Sequence, residues 1–74
     1  MRGLVMQNKI KKYRFAMGIS QQNLADLCDV SRETICRLET NKANPSLELA
    51  YRISRFLHVS IEELFSLEEE PILQ

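Results

Sequence analysis

Apolar residues recur at intervals of three and four along most of this chain, a pattern typical of short amphipathic helices. The first such run begins near Asn8 and ends at Gly18, where glycine can adopt a left-handed backbone without a steric clash. Its apolar residues Ile10, Tyr13 and Met17 share one face. The pattern therefore predicts a first helix between Asn8 and Gly18.

The next stretch, 20–41, predicts two more helices, each beginning after a serine. A serine before a helix accepts a hydrogen bond from a free N–H group of the first turn, and Ser20 and Ser31 stand at such positions. Each is flanked by the two apolar residues of a hydrophobic staple, which sets the angle at which a helix begins. These staples are Ile19 with Leu24 and Val30 with Ile35. Because only Asp29 and Val30 separate the helices, the chain must turn sharply, which indicates a helix-turn-helix motif.

The C-terminal half of the chain predicts two further helices. The second motif helix, 32–41, is followed by a loop, a fourth helix from Leu47 to about Leu57, and a short fifth helix from Ile61 to about Ser66. The fourth helix is expected to bury Leu47, Ala50, Ile53 and Leu57. The prediction is an all-α domain of five short helices around one core. Its expected divisions are an N-terminal arm, 1–7, the helical domain, 8–67, and an acidic, loose tail, 68–74.

Length and charge narrow the possible functions only slightly. A chain of 74 residues suits one domain near the lower size limit for a self-sufficient core, so it should be compact, dimeric or both. Its net charge is zero, but eight basic and four acidic residues lie through Lys42, and two basic and six acidic residues follow. A domain polarised in this way can offer a basic face to phosphate, although an ordinary solvated surface explains the same counts. With no signal peptide and no long apolar run, a cytoplasmic protein with no membrane contact is expected.

The chain has few residues of the types that usually catalyse reactions or bind metals. Cys28 and Cys36 lack the spacing of a metal site and fit a reducing, intracellular compartment, where they act as small apolar residues. A redox switch at either would require an exposed thiol with a lowered pKa. His58 has no partner at a useful spacing, and no nucleophile–base pair, paired acids or phosphate loop is visible. We therefore expect no cofactor, no metal, no small-molecule ligand and no enzymatic activity.

The spaced residues of the motif and its surroundings resemble the phage Cro/C1-type, or XRE, helix-turn-helix regulators, especially their small stand-alone bacterial and archaeal members. The resemblance covers 8–67 and rests on Ser20-Gln21, Leu24-Ala25, Val30-Ser31, Thr34-Ile35, Leu38-Glu39, Asn44-Pro45-Ser46 and Val59-Ser60-Ile61-Glu62-Glu63-Leu64-Phe65. It implies a lambda-repressor-like DNA-binding domain. Two positions depart from the family pattern. Asp29 stands where the turn usually has glycine, and Glu39-Thr40-Asn41 replaces Glu-Asn-Gly, so that Thr40 takes the place of a phosphate-contacting asparagine.

The resemblance implies that the helix after Ser31 lies in the major groove of double-stranded DNA, with its first turns against base edges. Since Ile35 and Leu38 face the core, the outward residues are left to read sequence. The expected base-contacting residues are Arg32, Glu33 and Arg37, with minor contacts from Thr34 and Cys36. Arginine suits guanine, and glutamate can accept from a cytosine amino group. The alternative is that Glu33 and Arg37 form an ordinary surface pair at i,i+4.

Other residues are expected to hold the DNA backbone or the fold. The phosphate-contacting set is Gln21, Ser31, Lys42, Asn44 and Lys9, which would position the protein without reading sequence. Gln21 resembles a family glutamine that also braces the recognition helix. Arg14 and Glu39 match a family pair that forms a structural salt bridge between the first helix and the recognition helix.

A DNA site made of two symmetric half-sites would require a homodimer. The expected interface consists of the apolar residues Leu49, Phe56, Phe65 and Leu67. In similar small regulators a short terminal β-ribbon joins the two ends of the domain, and 4–6 with 65–67 is the candidate here.

The leading hypothesis is a sequence-specific transcriptional regulator, expected to be a repressor that occupies an operator as a homodimer. The alternatives are a protein-interaction module that keeps the same fold, which net neutrality favours slightly, and an antitoxin. Steep salt dependence of binding would distinguish DNA as the partner.

Overall fold

A computed structural model describes residues 4–69, with side chains described from residue 7 to residue 66. Five helices lie between two terminal strands. In chain order the elements are β1 (Leu4–Asn8), α1 (Ile10–Met17), α2 (Gln21–Cys28), α3 (Arg32–Glu39), α4 (Leu47–Leu57), α5 (Ile61–Leu64) and β2 (Phe65–Glu69). The five predicted helices are confirmed, and α4 has the predicted bounds.

The terminal β-ribbon expected from the family resemblance is also present, and it is longer than expected. Strands β1 and β2 pair antiparallel, from Leu4 opposite Glu69 to Asn8 opposite Phe65. The ribbon corrects two helix boundaries: α1 begins at Ile10 rather than near Asn8, and α5 ends at Leu64 rather than near Ser66. The physical reason is that residues paired in a ladder cannot also make helical hydrogen bonds. Strand β2 extends two residues into the expected loose tail, whose remaining residues, 70–74, lie outside the described part.

The helix boundaries follow from local chemistry. Four serine side chains accept hydrogen bonds from the backbone N–H groups three residues later, as their positions before helices predict. They are Ser20, Ser31, Ser46 and Ser60, which cap α2, α3, α4 and α5. Within residues 4–69, four residues have a left-handed backbone where a helix ends. They are Gly18, Asp29, Asn41 and His58. Asp29, which stands where the family usually has glycine, therefore adopts the backbone conformation that the turn needs. Helix α3 ends at Glu39, two residues before its predicted limit.

One core joins all five helices. Its fully or almost fully buried apolar residues are Ile10, Leu24, Ala25, Cys28, Ile35, Leu38, Ile53, Leu57 and Leu64. Two residues assigned to the buried face are exposed, namely Met17 at 42% and Leu47 at 79%. Each lies seven positions from a buried residue on the same helix face, Ile10 and Ser54 respectively. Periodicity identifies the inward face of a helix but not how far along that face the core extends.

The C-terminal end of α2 is tied to α4. Arg52 donates from Nη1 to the carbonyl oxygen of Cys28 at 3.1 Å, and its Nη2 lies 2.7 Å from a Glu48 carboxylate oxygen. Burial raises the pKa of the Cys28 thiol, and the charge of Arg52 offsets part of that effect. Cys28 is therefore a core residue rather than a reactive thiol.

None of the helices within 4–69 has both the length and the apolar character needed to cross a membrane.

Candidate nucleic-acid interface

The outer face of α3 is polar and open to solvent. Its inner face is fixed by Ile35 and Leu38, which are buried in the core. The side chains that remain on the outside are Arg32, Glu33, Cys36 and Arg37, all exposed. The structure thus brings the expected base-contacting residues together on one helical face, except for Thr34, which is half-buried.

Thr34 belongs to the start of α3 rather than to its outer face. The Ser31 Oγ atom accepts a hydrogen bond from the Thr34 backbone N–H at 3.1 Å, and the two hydroxyl oxygens lie 2.9 Å apart. Each hydroxyl therefore already has a partner. Ser31 remains exposed at the N-terminal end of α3.

The surface pair that was the alternative interpretation of Glu33 and Arg37 is absent among the described residues. The guanidinium of Arg37 lies instead at the C-terminal end of its helix, with Nη2 3.4 Å from the carbonyl oxygen of Lys42. In turn the Lys42 N–H donates to the Arg37 carbonyl oxygen at 2.8 Å. At 3.4 Å this contact is weak, so it holds the Arg37 side chain only loosely.

A buried cluster holds α3 against α1 and α2. Arg14 makes two bonds to the Glu39 carboxylate, from Nε to Oε2 at 2.8 Å and from Nη2 to Oε1 at 3.1 Å. The Gln21 Nε2 atom donates to the same Oε1 at 3.0 Å, and Arg14 Nη1 donates to the Ile19 carbonyl oxygen at 3.1 Å. The side chains of Arg14 and Glu39 are only 7% and 4% exposed. The expected ion pair is thus a bidentate, buried contact, and Gln21 braces it.

The charge state of Glu39 reflects this cluster. Burial alone would raise the pKa of the carboxyl group, but hydrogen bonds from Arg14 and Gln21, with the charges of Arg14 and Lys11, outweigh burial and leave the pKa below its usual value. Glu39 is therefore ionised at neutral pH. Its negative charge is neutralised inside the fold and does not repel phosphate at the surface.

The residues expected to contact phosphate lie before α1, at the starts of α2 and α3, and in the loop after α3. Lys42 and Asn44 are exposed in the loop after α3, and Lys9 is exposed before α1. Gln21 is half-buried, and its amide N–H group is already bonded to Glu39. Thr40 does not present a free donor, because its hydroxyl donates to the Cys36 carbonyl oxygen at 2.9 Å.

The side chain of Asn8 makes contacts that the sequence did not reveal. Its Nδ2 atom donates to the Leu38 carbonyl oxygen at 2.8 Å and to Asn41 Oδ1 at 2.7 Å, while its Oδ1 accepts from the Ile10 N–H at 3.2 Å. One side chain therefore bonds the first N–H group of α1 and holds the C-terminal end of α3. An asparagine before a helix is a recognisable cap signal, but its partners 30 and 33 residues away are not.

The four residues expected at a dimer interface have different environments. Leu49 and Phe65 are half-buried against the core, and Phe56 is 36% exposed. The side chain of Leu67 lies outside the described part. Helix α4 also exposes Tyr51 at 54%.

A helix-turn-helix family model matches residues 10–64, which include both motif helices and the core around them. The chain belongs to the Cro/C1-type (XRE) helix-turn-helix family. Among its relatives, an uncharacterized HTH-type transcriptional regulator of Methanocaldococcus jannaschii, MJ0272, is 43% identical over 65 residues, spanning 88% of this chain and 98% of that protein. The family resemblance inferred from the sequence is thus confirmed.

Two solved structures share the fold. The restriction-modification controller protein C.AhdI from Aeromonas hydrophila has a TM-score of 0.70 and 27% identity, over 74% of this chain and 83% of that one. The N-terminal DNA-binding domain of SinR from Bacillus subtilis has a TM-score of 0.68 and 33% identity, over 73% and 80%. The Cro/C1-type family consists of DNA-binding transcriptional regulators, a non-enzymatic class.

Proposed function

We propose that this Cro/C1-type protein is a transcriptional repressor that binds a two-fold-symmetric operator as a homodimer. The observation that carries the proposal is the outer face of α3, where Arg32, Glu33 and Arg37 are exposed on a helix of the size that a major groove admits. Two arginines and one glutamate supply both donors and an acceptor to base edges, so the face can discriminate between base pairs.

The buried cluster behind α3 supports the same function. Base readout requires that side chains reach base edges from a fixed helix, since a small displacement breaks a bidentate contact. Arg14, Glu39 and Gln21 fix α3 at its C-terminal end, and Ser31 caps its N-terminal end. Exposed Lys42 and Asn44 follow this helix in the chain, and exposed Lys9 follows Asn8, whose side chain bonds the end of the helix. We expect these three residues to hold phosphates and to set the position of the helix in the groove.

Selection from a random duplex pool tests the proposal, with wild type and Arg37→Ala in parallel. Wild type should enrich a symmetric site whose half-sites lie about one helical turn apart. The Arg37→Ala variant should select the same site with relaxed preference at one position in each half-site, at a cost of about 1–3 kcal/mol per lost bidentate contact.

Arg55→Ala provides a matched control for this selection, because Arg55 is an exposed arginine on α4, outside the proposed reading face. It should enrich the wild-type site unchanged. No enrichment by wild type at low salt would contradict operator binding and would favour the alternative, a protein-interaction module or antitoxin with the same fold.

We assign the dimer interface to the exposed flank of α4 that carries Phe56, beside half-buried Leu49. Phe56→Glu should convert the dimer to a monomer and weaken operator binding by at least about tenfold, since a buried carboxylate would be unpaired in the interface. Tyr51→Glu is the matched control, because Tyr51 is also an exposed aromatic residue on α4 but lies about 140° away around the helix axis. Sedimentation equilibrium measures both masses. A monomeric Tyr51→Glu variant with a dimeric Phe56→Glu variant would place the interface on the opposite flank.

A further inference from the structure

The amide of Asn8 has an orientation that its partners determine chemically. The Ile10 backbone N–H can only donate, so the atom 3.2 Å from it must be the Asn8 oxygen. The Leu38 carbonyl oxygen can only accept, so the atom 2.8 Å from it must be the Asn8 nitrogen. The two contacts agree, and no other assignment of the amide satisfies both.

The orientation of the Asn8 amide determines the orientation of the side-chain amide of Asn41. The Asn8 Nδ2 atom lies 2.7 Å from the Asn41 side chain, and two NH2 groups cannot face each other at this distance, so Asn41 must present its oxygen. The NH2 group of Asn41 is therefore directed away from Asn8. Asn41 is exposed, and within residues 7–66, whose side chains are described, its Nδ2 atom donates no hydrogen bond.

The position of Asn41 suits contact with the DNA backbone. It follows the C-terminal end of α3 by two residues and directly precedes exposed Lys42, while Lys9 directly follows its partner Asn8. The nearby carboxylate of Glu39 is buried and paired with Arg14, so it does not oppose an anion at the surface. Phosphate oxygens only accept hydrogen bonds, and an NH2 group turned outward is the donor that they require.

We propose that the NH2 group of Asn41 is an additional phosphate donor and that Asn8 is the positioning residue that aims it. This inference rests on the proposed DNA-binding function. Asn8 links the terminal ribbon to the end of α3. Its backbone pairs with Phe65 in the ribbon, and its side chain bonds Asn41 and the Leu38 carbonyl oxygen. The ribbon thereby fixes a contact at the far end of the recognition helix.

Asn41→Gly tests the donor without disturbing the fold. The backbone of Asn41 has φ of 59°, a left-handed conformation that glycine adopts more readily than asparagine. This gain offsets the loss of the exposed hydrogen bond from Asn8, so thermal stability should change little. Affinity should fall about tenfold, equally for specific and non-specific duplexes, because phosphate contacts carry no sequence information. The slope of log affinity against log salt concentration should not change, since a neutral amide releases no counterion. Lys42→Ala, the comparison variant, should reduce that slope.

A double-mutant cycle with Asn8→Asp tests the positioning role. Aspartate can still accept from the Ile10 N–H but cannot donate, so the Asn41 amide should turn its NH2 group toward Asp and its oxygen toward DNA. Asn8→Asp should weaken binding by more than tenfold in wild type and by much less in Asn41→Gly. The added charge and the lost bond to Leu38 are present in both backgrounds and cancel in the cycle.

The outcomes separate this inference from the function on which it rests. Wild-type affinity of Asn41→Gly, with Lys42→Ala still weakened, would overturn the phosphate donor. Additive effects of Asn8→Asp and Asn41→Gly would overturn the positioning role. Failure of the wild-type protein to bind any duplex at low salt would instead contradict the proposed function.

Discussion

Glu39→Gln is expected to lower the free energy of unfolding by about 3 kcal/mol, because it removes one charge from a buried ion pair and leaves the other unpaired. Glutamine keeps the approximate volume of glutamate, so the change isolates the charge. The Arg14 guanidinium would stay buried opposite a neutral amide whose NH2 group cannot accept from it. Urea unfolding monitored by circular dichroism at pH 7 measures the difference.

Glu48→Gln is the matched control. Its carboxylate pairs with Arg52 on α4, but the two side chains are 73% and 44% exposed, so the loss should stay within about 1 kcal/mol. Equal losses in the two variants would contradict the interpretation that burial makes the Arg14–Glu39 pair the stronger of these two ion pairs.

The effect of Glu39→Gln should also depend on pH. The pKa of Glu39 is lower in the folded protein than its usual value, so the unfolded chain binds a proton more readily, and the stabilisation is complete above the usual carboxyl pKa. It is lost as the pH falls through the folded pKa. Wild type and Glu39→Gln should therefore converge in stability in acid, and a difference that persists at the lowest pH would show that packing, not charge, causes the loss.

DNA affinity is expected to fall by about 100-fold between 50 and 200 mM salt, if Lys9 and Lys42 of each protomer neutralise four phosphates in the dimer complex. The large effect arises although the net charge of the protein is zero. Release of counterions depends on the local cations at the interface, not on the total charge. Fluorescence anisotropy with a labelled duplex measures the slope directly.

Lys42→Ala should reduce that slope by roughly half, since each dimer loses two of the four contacts. Lys12→Ala changes the charge by the same amount, but Lys12 lies about 160° around α1 from Arg14, which faces α3. It should leave the slope almost unchanged. A slope near zero for wild type would favour the protein-interaction module, and equal slopes for the two variants would remove Lys42 from the phosphate contacts.

The sequence by itself determined the helices and their order. Serine caps, hydrophobic staples and left-handed helix ends are local features, in which a residue and its partner lie within about five positions of each other. These features placed the start of α2 after Ser20 and the start of α3 after Ser31, and the spacing of apolar residues predicted the bounds of α4. The helical spacing of apolar residues alone predicted the outward side chains of α3, because Ile35 and Leu38 define its inner face. These outward side chains are Arg32, Glu33 and Arg37.

Only the tertiary structure decided how far each buried face extends and which distant polar groups meet. Leu47 lies on the apolar face of α4 and is exposed, because the core does not extend to the first residue of that helix. Asn8 reaches Leu38 and Asn41 through the pairing of two chain termini, which no local pattern encodes. Hydrogen bonds between residues about 30 positions apart depend on the assembled fold, and the orientation of the Asn41 amide follows from such a bond.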